Sequence, residues 1–494
     1  MLLATTPVEQ RSFAAERLQD RDLGPATLVV ILGLLTLLRL VALALSPSEL
    51  GFDEAQYWAW SQDFAFGYFT KPPLIAWLIG AETAVCGNGA ACVRAASPLL
   101  HFGTALVLAA LARRLYGPVT GFWTGIFYAI LPGVALSSFL MTTDAPLLFC
   151  WSVALLALVS HLERPTAAKA IVFGIATGIG LLAKYAMVYL PVMALLVALV
   201  DADARRVLRR PLSLLAIAIF LAILAPNLVW NATNGFATFR HVGGDNIGWS
   251  LPRINATGGF EFLGAQFGVA GPVVFGAMLN ALIFGLRSER PRTDRLLLWL
   301  SIPLILALTF QGFLSRANAN WAATAYPAGV VLATALILRD RRPYYFYANL
   351  IVCGVLSLAI LAVTAFLDPI SATGPARQFR QLGGWAVTAD NLEHVADATG
   401  ASRLVIEGRA LTAGLVHPLR ESGLTIEAFM NPGDRPGDQF ELDAPWHVGD
   451  PAHDRLFFGL SDEDAKELGL TPAAEVDAPL YSAKTGRMTV WHAK

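Results

Sequence analysis

Asp53 and Glu54 stand side by side in Gly51-Phe52-Asp53-Glu54-Ala55-Gln56-Tyr57-Trp58-Ala59-Trp60, and Lys71 comes later in Tyr68-Phe69-Thr70-Lys71-Pro72-Pro73. They come just after an apolar run of roughly twenty residues, which is bilayer length. Charges at a membrane edge are costly to desolvate, so such a cluster points to function and its position to a lipid-borne substrate. A carboxylate there can serve as general base toward an acceptor hydroxyl or amine. A fixed ammonium beside it suits a phosphate or pyrophosphate. Adjacent residues point in different directions, so Asp53 is the expected base and Glu54 orients groups or pairs with a cation. The bland alternatives are a solvated pair marking the end of a span and a lysine snorkelling to the interface. Pro72-Pro73 fixes the backbone and disfavours helix at Lys71.

Three more ionisable residues border apolar runs. Asp144 lies in Met141-Thr142-Thr143-Asp144-Ala145-Pro146. An Asp or Thr before an early-helix proline also makes a good N-cap, worth about 0.5–2 kcal/mol. Capping and chemistry can coexist. Lys184, in Gly180-Leu181-Leu182-Ala183-Lys184-Tyr185, is a lone cation between two apolar stretches and a functional candidate by its depth. Arg316 has Asn318, Asn320 and Trp321 close behind it. Arginine binds phosphate oxygens in a fork, and tryptophan offers an apolar face to a sugar or prenyl chain; both also simply anchor helices. Arg240, His241, Asp245 and Trp249 are weaker candidates that a solvated loop explains equally well.

The expected site therefore has Asp53, Glu54 and Asp144 in catalysis and Lys71, Lys184 and Arg316 on the substrate phosphate. Tyr57, Tyr68, Asn320 and Trp321 contact substrate. No metal ligand is assigned, and a divalent cation stays open. The four cysteines lack a zinc-ligand spacing. Cys86 and Cys92 flank a Gly/Asn turn and could form a disulfide if that loop faces an oxidising compartment.

The elements that position these groups can be read from hydropathy. The 494-residue chain is 55% hydrophobic and 15% charged, with mean hydropathy +0.54, where globular chains carry about a quarter charged residues. That composition is a polytopic membrane protein. Net charge is −1, so no basic excess points to nucleic acid. Apolar runs at 25–46, 94–112, 118–140, 145–161, 167–183, 185–200, 211–230, 260–286, 295–314, 321–338 and 344–367 predict about eleven spans. The first would serve as an uncleaved signal anchor after a polar segment, 1–24.

Arg113-Arg114, His161 to Lys169, Asp201 to Arg210, Arg287 to Arg295 and Arg339 to Arg342 are short basic linkers. With Arg11, Arg17 and Arg21 they form one inside face. The opposite face then receives Asp53, Glu54, Lys71, Asp144, Lys184, the loop 231–259 and Arg316. An odd number of spans puts the tail there too. Residues 25–367 make the membrane domain, and 368–494 read as a small soluble α/β domain. Its strands are expected at Leu404–Glu407, Leu424–Phe429, Arg455–Gly459 and Met488–His492. Helices are expected at Leu411–Glu421 and at Ser461–Leu468, the latter capped by Ser461. The sequons at Asn231 and Asn255 are matches of a kind that arises by chance.

Phe52-Asp53-Glu54-Ala55-Gln56-Tyr57-Trp58 and Gly67-Tyr68-Phe69-Thr70-Lys71-Pro72-Pro73-Leu74 resemble the first outer loop of bacterial family 39 glycosyltransferases. These are relatives of protein O-mannosyltransferases and of the aminoarabinose transferase that modifies lipid A. Thr143-Asp144-Ala145-Pro146-Leu147, Gly180 to Tyr185 and Asn318-Ala319-Asn320-Trp321-Ala322-Ala323 resemble the family's later motifs, in order. In the tail, Arg409-Ala410-Leu411 and Asp438-Gln439-Phe440 extend the likeness. The resemblance implies a GT-C fold with its active site at the outer membrane face. It also implies a polyprenyl-phosphate sugar donor and a lipid, glycan or protein acceptor. Asp53 would then be the base for inverting attack at the anomeric carbon, with Lys71, Lys184 and Arg316 holding the departing phosphate. Ala319 and Ala322 stand where many relatives carry proline, which bears on loop geometry and acceptor choice. The location implied is the bacterial inner membrane, with site and tail on the periplasmic side. The rival from another class is a secondary transporter of a lipid-linked or anionic solute. Transporters keep charges near the midplane and repeat their halves; neither feature is evident here.

Overall fold

The computed structural model describes residues 24–246, 255, 257–285, 290–340, 343–372, 379–478 and 486–493. Among these, seven helices are long and apolar enough to cross a membrane: Pro25–Leu45, Ala90–Tyr116, Asp144–Glu163, Pro211–Thr233, Arg292–Leu314, Ala319–Arg339 and Tyr344–Phe366. Shorter apolar helices occupy Leu74–Cys86, Ala167–Ala183, Tyr185–Val200 and Pro272–Ile283. The polar N-terminus with Arg11, Arg17 and Arg21, the inner-linker residue Arg287, and Trp249 lie outside the described residues.

Where the structure differs from the hydropathy reading, proline and glycine explain it. The run 118–140 is two helices, Pro118–Ala129 and Pro132–Ser137, because Pro132 has no N–H to continue the first. The run 260–286 breaks at Gly271, whose φ of +77° is a left-handed turn, and restarts with Pro272. Lys184 is itself an extended break, with φ −161° and ψ 134°, between the helix Ala167–Ala183 and the 3₁₀ turn Tyr185–Val188. Leu74–Cys86 is a helix that the hydropathy reading passed over; Pro72-Pro73 precede it.

The contacts divide the chain into two units. Among the described residues, the first comprises those within 24–42, 71–75 and 94–362. Its core is helix on helix, filled by Leu108, Phe127, Trp151 and Phe275. Gly174 and Gly178 form a small-xxx-small face on Ala167–Ala183 and let Pro211–Thr233 approach closely. A Cβ on Gly174 would lie 2.7 Å from the Ala216 carbonyl oxygen, and one on Gly178 2.8 Å from Ile223.

The second unit comprises the described residues within 43–70, 76–93 and 363–493. It holds a six-stranded sheet of β1 Arg403–Ile406, β2 Thr425–Met430, β3 Pro445–His447, β4 Arg455–Phe458, β5 Thr471–Asp477 and β6 Arg487–His492. Their order is β3-β2-β1-β4-β6-β5. β1 pairs in parallel with β2 and β4, and β2 with β3, while β6 runs antiparallel to β4 and β5. Continuous apolar stretches such as Leu404-Val405-Ile406 and Leu456-Phe457-Phe458 suit central strands buried on both faces. The expected strands and the Ser461-capped helix are all present; the helix Trp385–Thr399 and strands β3 and β5 are additional. Cys86 and Cys92 are disulfide-bonded.

Candidate active site

In the first unit, three residues expected to act on substrate meet. Lys184 Nζ lies 2.7 Å from Asp144 Oδ1, and Asn320 Nδ2 donates to Asp144 Oδ2 at 2.8 Å. Asp144 opens the helix Asp144–Glu163, but its carboxylate makes no cap hydrogen bond; the helix start is instead marked by Thr143, also without a side-chain cap. Both carboxylate oxygens are therefore turned to the Lys184 and Asn320 donors. Capping does not account for this aspartate.

The backbone puts these groups where they are. Because Lys184 is extended rather than helical, its side chain leaves the helix axis after Ala183. Next to it, the Tyr185 hydroxyl donates to Asn227 Oδ1 at 2.7 Å and accepts from Asn231 Nδ2 at 3.1 Å, and the Tyr185 ring stacks on Phe239. Asn231 is buried within the helix Pro211–Thr233, so that sequon serves packing. On the other side, Asn320 rides on the 3₁₀ turn Ala319–Ala325. Buried Gln266 secures that turn: its amide donates to the Ala319 carbonyl at 3.3 Å and accepts from the Tyr326 hydroxyl at 2.5 Å. Trp321 packs against the apolar core of the unit, while Arg316 and Asn320 are exposed and Lys71 is half-buried.

In the second unit, Asp53 pairs with Arg409 of the tail, whose guanidinium also lies over the Phe52 ring at 5.7 Å. The Asp53 side chain is 55% exposed. Glu54, by contrast, is buried, and its Oε2 accepts from the Gly51 N–H at 3.0 Å, closing a capping box at the start of the helix Phe52–Ser61. The Tyr57 and Tyr68 rings are buried and contact Trp60, Tyr68 in a parallel stack with centroids 4.9 Å apart. The Tyr68 hydroxyl donates to the Asp63 carbonyl at 2.7 Å and accepts from the Ala65 N–H at 3.3 Å. Burial pushes that hydroxyl up to about 12, so it stays protonated across the physiological range. Tyr57 and Tyr68 thus hold the loop in shape.

Glu49, absent from the sequence reading, accepts from the Trp385 and Ala386 N–H groups at 2.7 and 3.1 Å, at the start of the helix Trp385–Thr399. A carboxylate at a helix N-terminus is favourable there, although burial still raises its pKa.

Arg39, Arg94 and His101 were also missed, because each sits in an otherwise apolar stretch. Arg94 is 1% exposed and lies over the Phe139 ring, and Arg39 donates to the Ala129 carbonyl at 2.5 Å. His101 bridges the Tyr128 and Ser137 hydroxyls, each at 2.9 Å. The available signal was a lone ionisable residue in an apolar run. Of the weaker candidates, Arg240 ends the short helix Ala237–Arg240, and His241 and Asp245 belong to the π-helical turn directly after it. Among the described residues, no group of three or more His, Cys, Asp and Glu could hold a metal ion.

Residues 70–230 match the family described as dolichyl-phosphate-mannose-protein mannosyltransferase, a stretch that holds Lys71, Asp144 and Lys184. The chain is 38% identical over 403 residues to the lipid A galacturonosyltransferase RgtD of Rhizobium johnstonii, covering 81% of this chain and 84% of RgtD. It is 32% identical over 195 residues, 39% of each chain, to the lipopolysaccharide core galacturonosyltransferase RgtA of the same organism. The crystal structure of ArnT from Cupriavidus metallidurans bound to undecaprenyl phosphate has the same fold. It superposes with a TM-score of 0.67 at 18% identity, covering 95% of this chain and 98% of ArnT. The motifs in their order, the helical membrane unit with its small sheet domain and the long match to RgtD lead to one conclusion: the chain belongs to the family 39 glycosyltransferases of GT-C fold and is an integral membrane glycosyltransferase.

Proposed function

We propose that the enzyme moves galacturonic acid from a polyprenyl-phosphate donor to lipid A or the lipopolysaccharide core at the periplasmic face of the inner membrane. Sugar and acceptor are taken from RgtD and RgtA, and the donor class from the undecaprenyl phosphate of ArnT. One observation carries the chemistry: Lys184 is fixed by Asp144 at 2.7 Å at the end of an apolar helix, an ammonium set to meet a phosphate that arrives in lipid.

In this reading Asp53 removes the proton from an acceptor hydroxyl as its oxygen attacks the anomeric carbon. The bond from that carbon to the phosphate oxygen breaks, and the electron pair leaves with the polyprenyl phosphate. The attack comes from the opposite side, so configuration inverts. Lys71, Lys184 and Arg316 stabilise the charge that develops on the leaving phosphate. Asp144 and Asn320 hold Lys184 in place. Asn320 and Trp321 are proposed to meet the sugar or prenyl chain, while Glu54, Tyr57 and Tyr68 support the loop that carries Asp53. The bonded Cys86–Cys92 pair supports a periplasmic loop, since disulfides persist in oxidising compartments.

The test is transfer by purified enzyme from radiolabelled polyprenyl-phosphate galacturonic acid to lipid A and to core oligosaccharide. Label in one of these acceptors, lost in Asp53→Asn, supports the reading. Label that is transferred from polyprenyl-phosphate aminoarabinose alone overturns the sugar assignment.

A further inference from the structure

We propose that two tail residues, Arg409 and Gln439, are positioning residues for the reaction: Arg409 orients Asp53, and Gln439 sets the loop that leads to Lys71. The proposal rests on Asp53 acting as base. It gives the soluble tail a part in catalysis, although the tail lies outside the family match at 70–230.

Two separate contacts carry it. Arg409 opens the helix Arg409–Val416 and reaches Asp53 on the helix Phe52–Ser61. The guanidinium also lies over the Phe52 ring. Asp438 acts on it too: the Arg409 charge opposes the rise that burial imposes on the Asp438 carboxyl. Arg409 thus answers two carboxylates at once, which argues against a vacant anion site and for an orienting role. A planar guanidinium fixed over a ring restricts the directions its carboxylate partner can take.

The second contact comes from another helix of the tail, Gln439–Asp443. Asp438 caps the helix Gln439–Asp443 by accepting from the Phe440 and Glu441 N–H groups at 2.7 and 3.0 Å. That cap directs the neighbouring Gln439, whose Oε1 accepts from the Phe69 N–H at 2.8 Å. Gln439 Nε2 donates to both oxygens of Asp443 at 2.8 and 3.0 Å, so the amide is held at both ends. Phe69 precedes Lys71 by two residues, and Pro72-Pro73 stiffen the backbone directly after the lysine. Two tail residues thus reach this region, Arg409 at Asp53 itself and Gln439 at the backbone two residues before Lys71.

The experiment uses the full chain in nanodiscs with labelled polyprenyl-phosphate galacturonic acid and lipid A, and reads kcat, donor KM and Tm. Arg409→Ala should lower kcat about 100-fold, the scale of an ångström-level misplacement, with donor KM unchanged. Arg409→Lys should recover part of that loss, and Arg409→Ala should add nothing in an Asp53→Asn background. Gln439→Ala should raise donor KM about five-fold, the worth of one hydrogen bond, with less effect on kcat. If Arg409→Ala lowers Tm, then Arg409→Gln is compared per donor-binding site, so that loss of fold cannot mimic loss of rate. Wild-type kcat in the Arg409 variants, or an equal loss with and without Asp53, overturns the positioning role. Wild-type kcat in Asp53→Asn overturns the base assignment instead, whatever Arg409 does.

Discussion

Lys184 and Asp144, forty positions apart in the chain, meet at 2.7 Å, and the aspartate's second oxygen accepts from Asn320. The lysine is thereby fixed in direction, and in the proposed mechanism no reorganisation is required when charge develops on the leaving phosphate. Lys184→Ala should lower kcat by about 10²–10³-fold, the usual cost of one group that stabilises transition-state charge. Asp144→Asn should lower it less, since the ammonium remains but its direction is lost. Steady-state transfer with both variants checks the order, and Asp144→Asn worse than Lys184→Ala contradicts it.

Asp53→Asn keeps the size of the side chain and removes the proposed base. General-base catalysis typically contributes about 10²–10⁴-fold, so kcat should fall within that range while donor affinity holds. Filter binding of labelled donor measured alongside turnover separates the two effects.

Gly178→Leu should disturb packing far from any reacting atom. Its Cβ alone would come within 2.8 Å of Ile223, so the helices Ala167–Ala183 and Pro211–Thr233 must part. Overpacking of this kind costs about 1–3 kcal/mol. Tm in detergent should drop, and activity should fall too, because Lys184 and the Asn227–Tyr185 contact lie together at one end of the parting helices. A Tm equal to wild type contradicts the close approach.

The second unit should lose stability as pH rises. Burial raises the pKa of Glu49, Glu407, Asp438, Glu441 and Asp443 above the ordinary values of 4.5 for glutamate and 3.8 for aspartate. A carboxyl whose folded pKa is raised binds its proton more tightly when folded. The stability it lends is full below the unfolded pKa and disappears as pH climbs through the folded one. Exposed Asp454 shifts the opposite way and is outnumbered. Hydrogen-exchange protection factors for Arg403–Ile406 and Arg455–Phe458, corrected for intrinsic rates, should be higher at pH 5 than at pH 7.5.

Much of this was readable from residue types alone. Asp144, Lys184 and Asn320 each stood out as a polar residue at the end of an apolar run, but their meeting depends on helix packing across forty and 176 positions. Glu54 looked like its neighbour Asp53, and only the helix register separates a buried cap from an exposed carboxylate. Hydropathy averages over windows, so it passed over Arg39, Arg94 and His101 and ran through the breaks at Pro132 and Gly271. Strand β5 escaped because Thr471-Pro472-Ala473-Ala474-Glu475-Val476-Asp477 is polar and carries a proline, which a sheet tolerates at an edge, where β5 lies. The Arg409–Asp53 pair spans 356 positions and had no local signal.

Transfer of a uronic acid from a polyprenyl phosphate with inversion at the anomeric carbon is tested most directly by NMR, which gives the anomeric configuration of galacturonate on product lipid A made from a donor of known configuration. Product should form only with active Asp53 and carry the configuration opposite to the donor's. Product of retained configuration, or product formed equally well by Asp53→Asn, would contradict it.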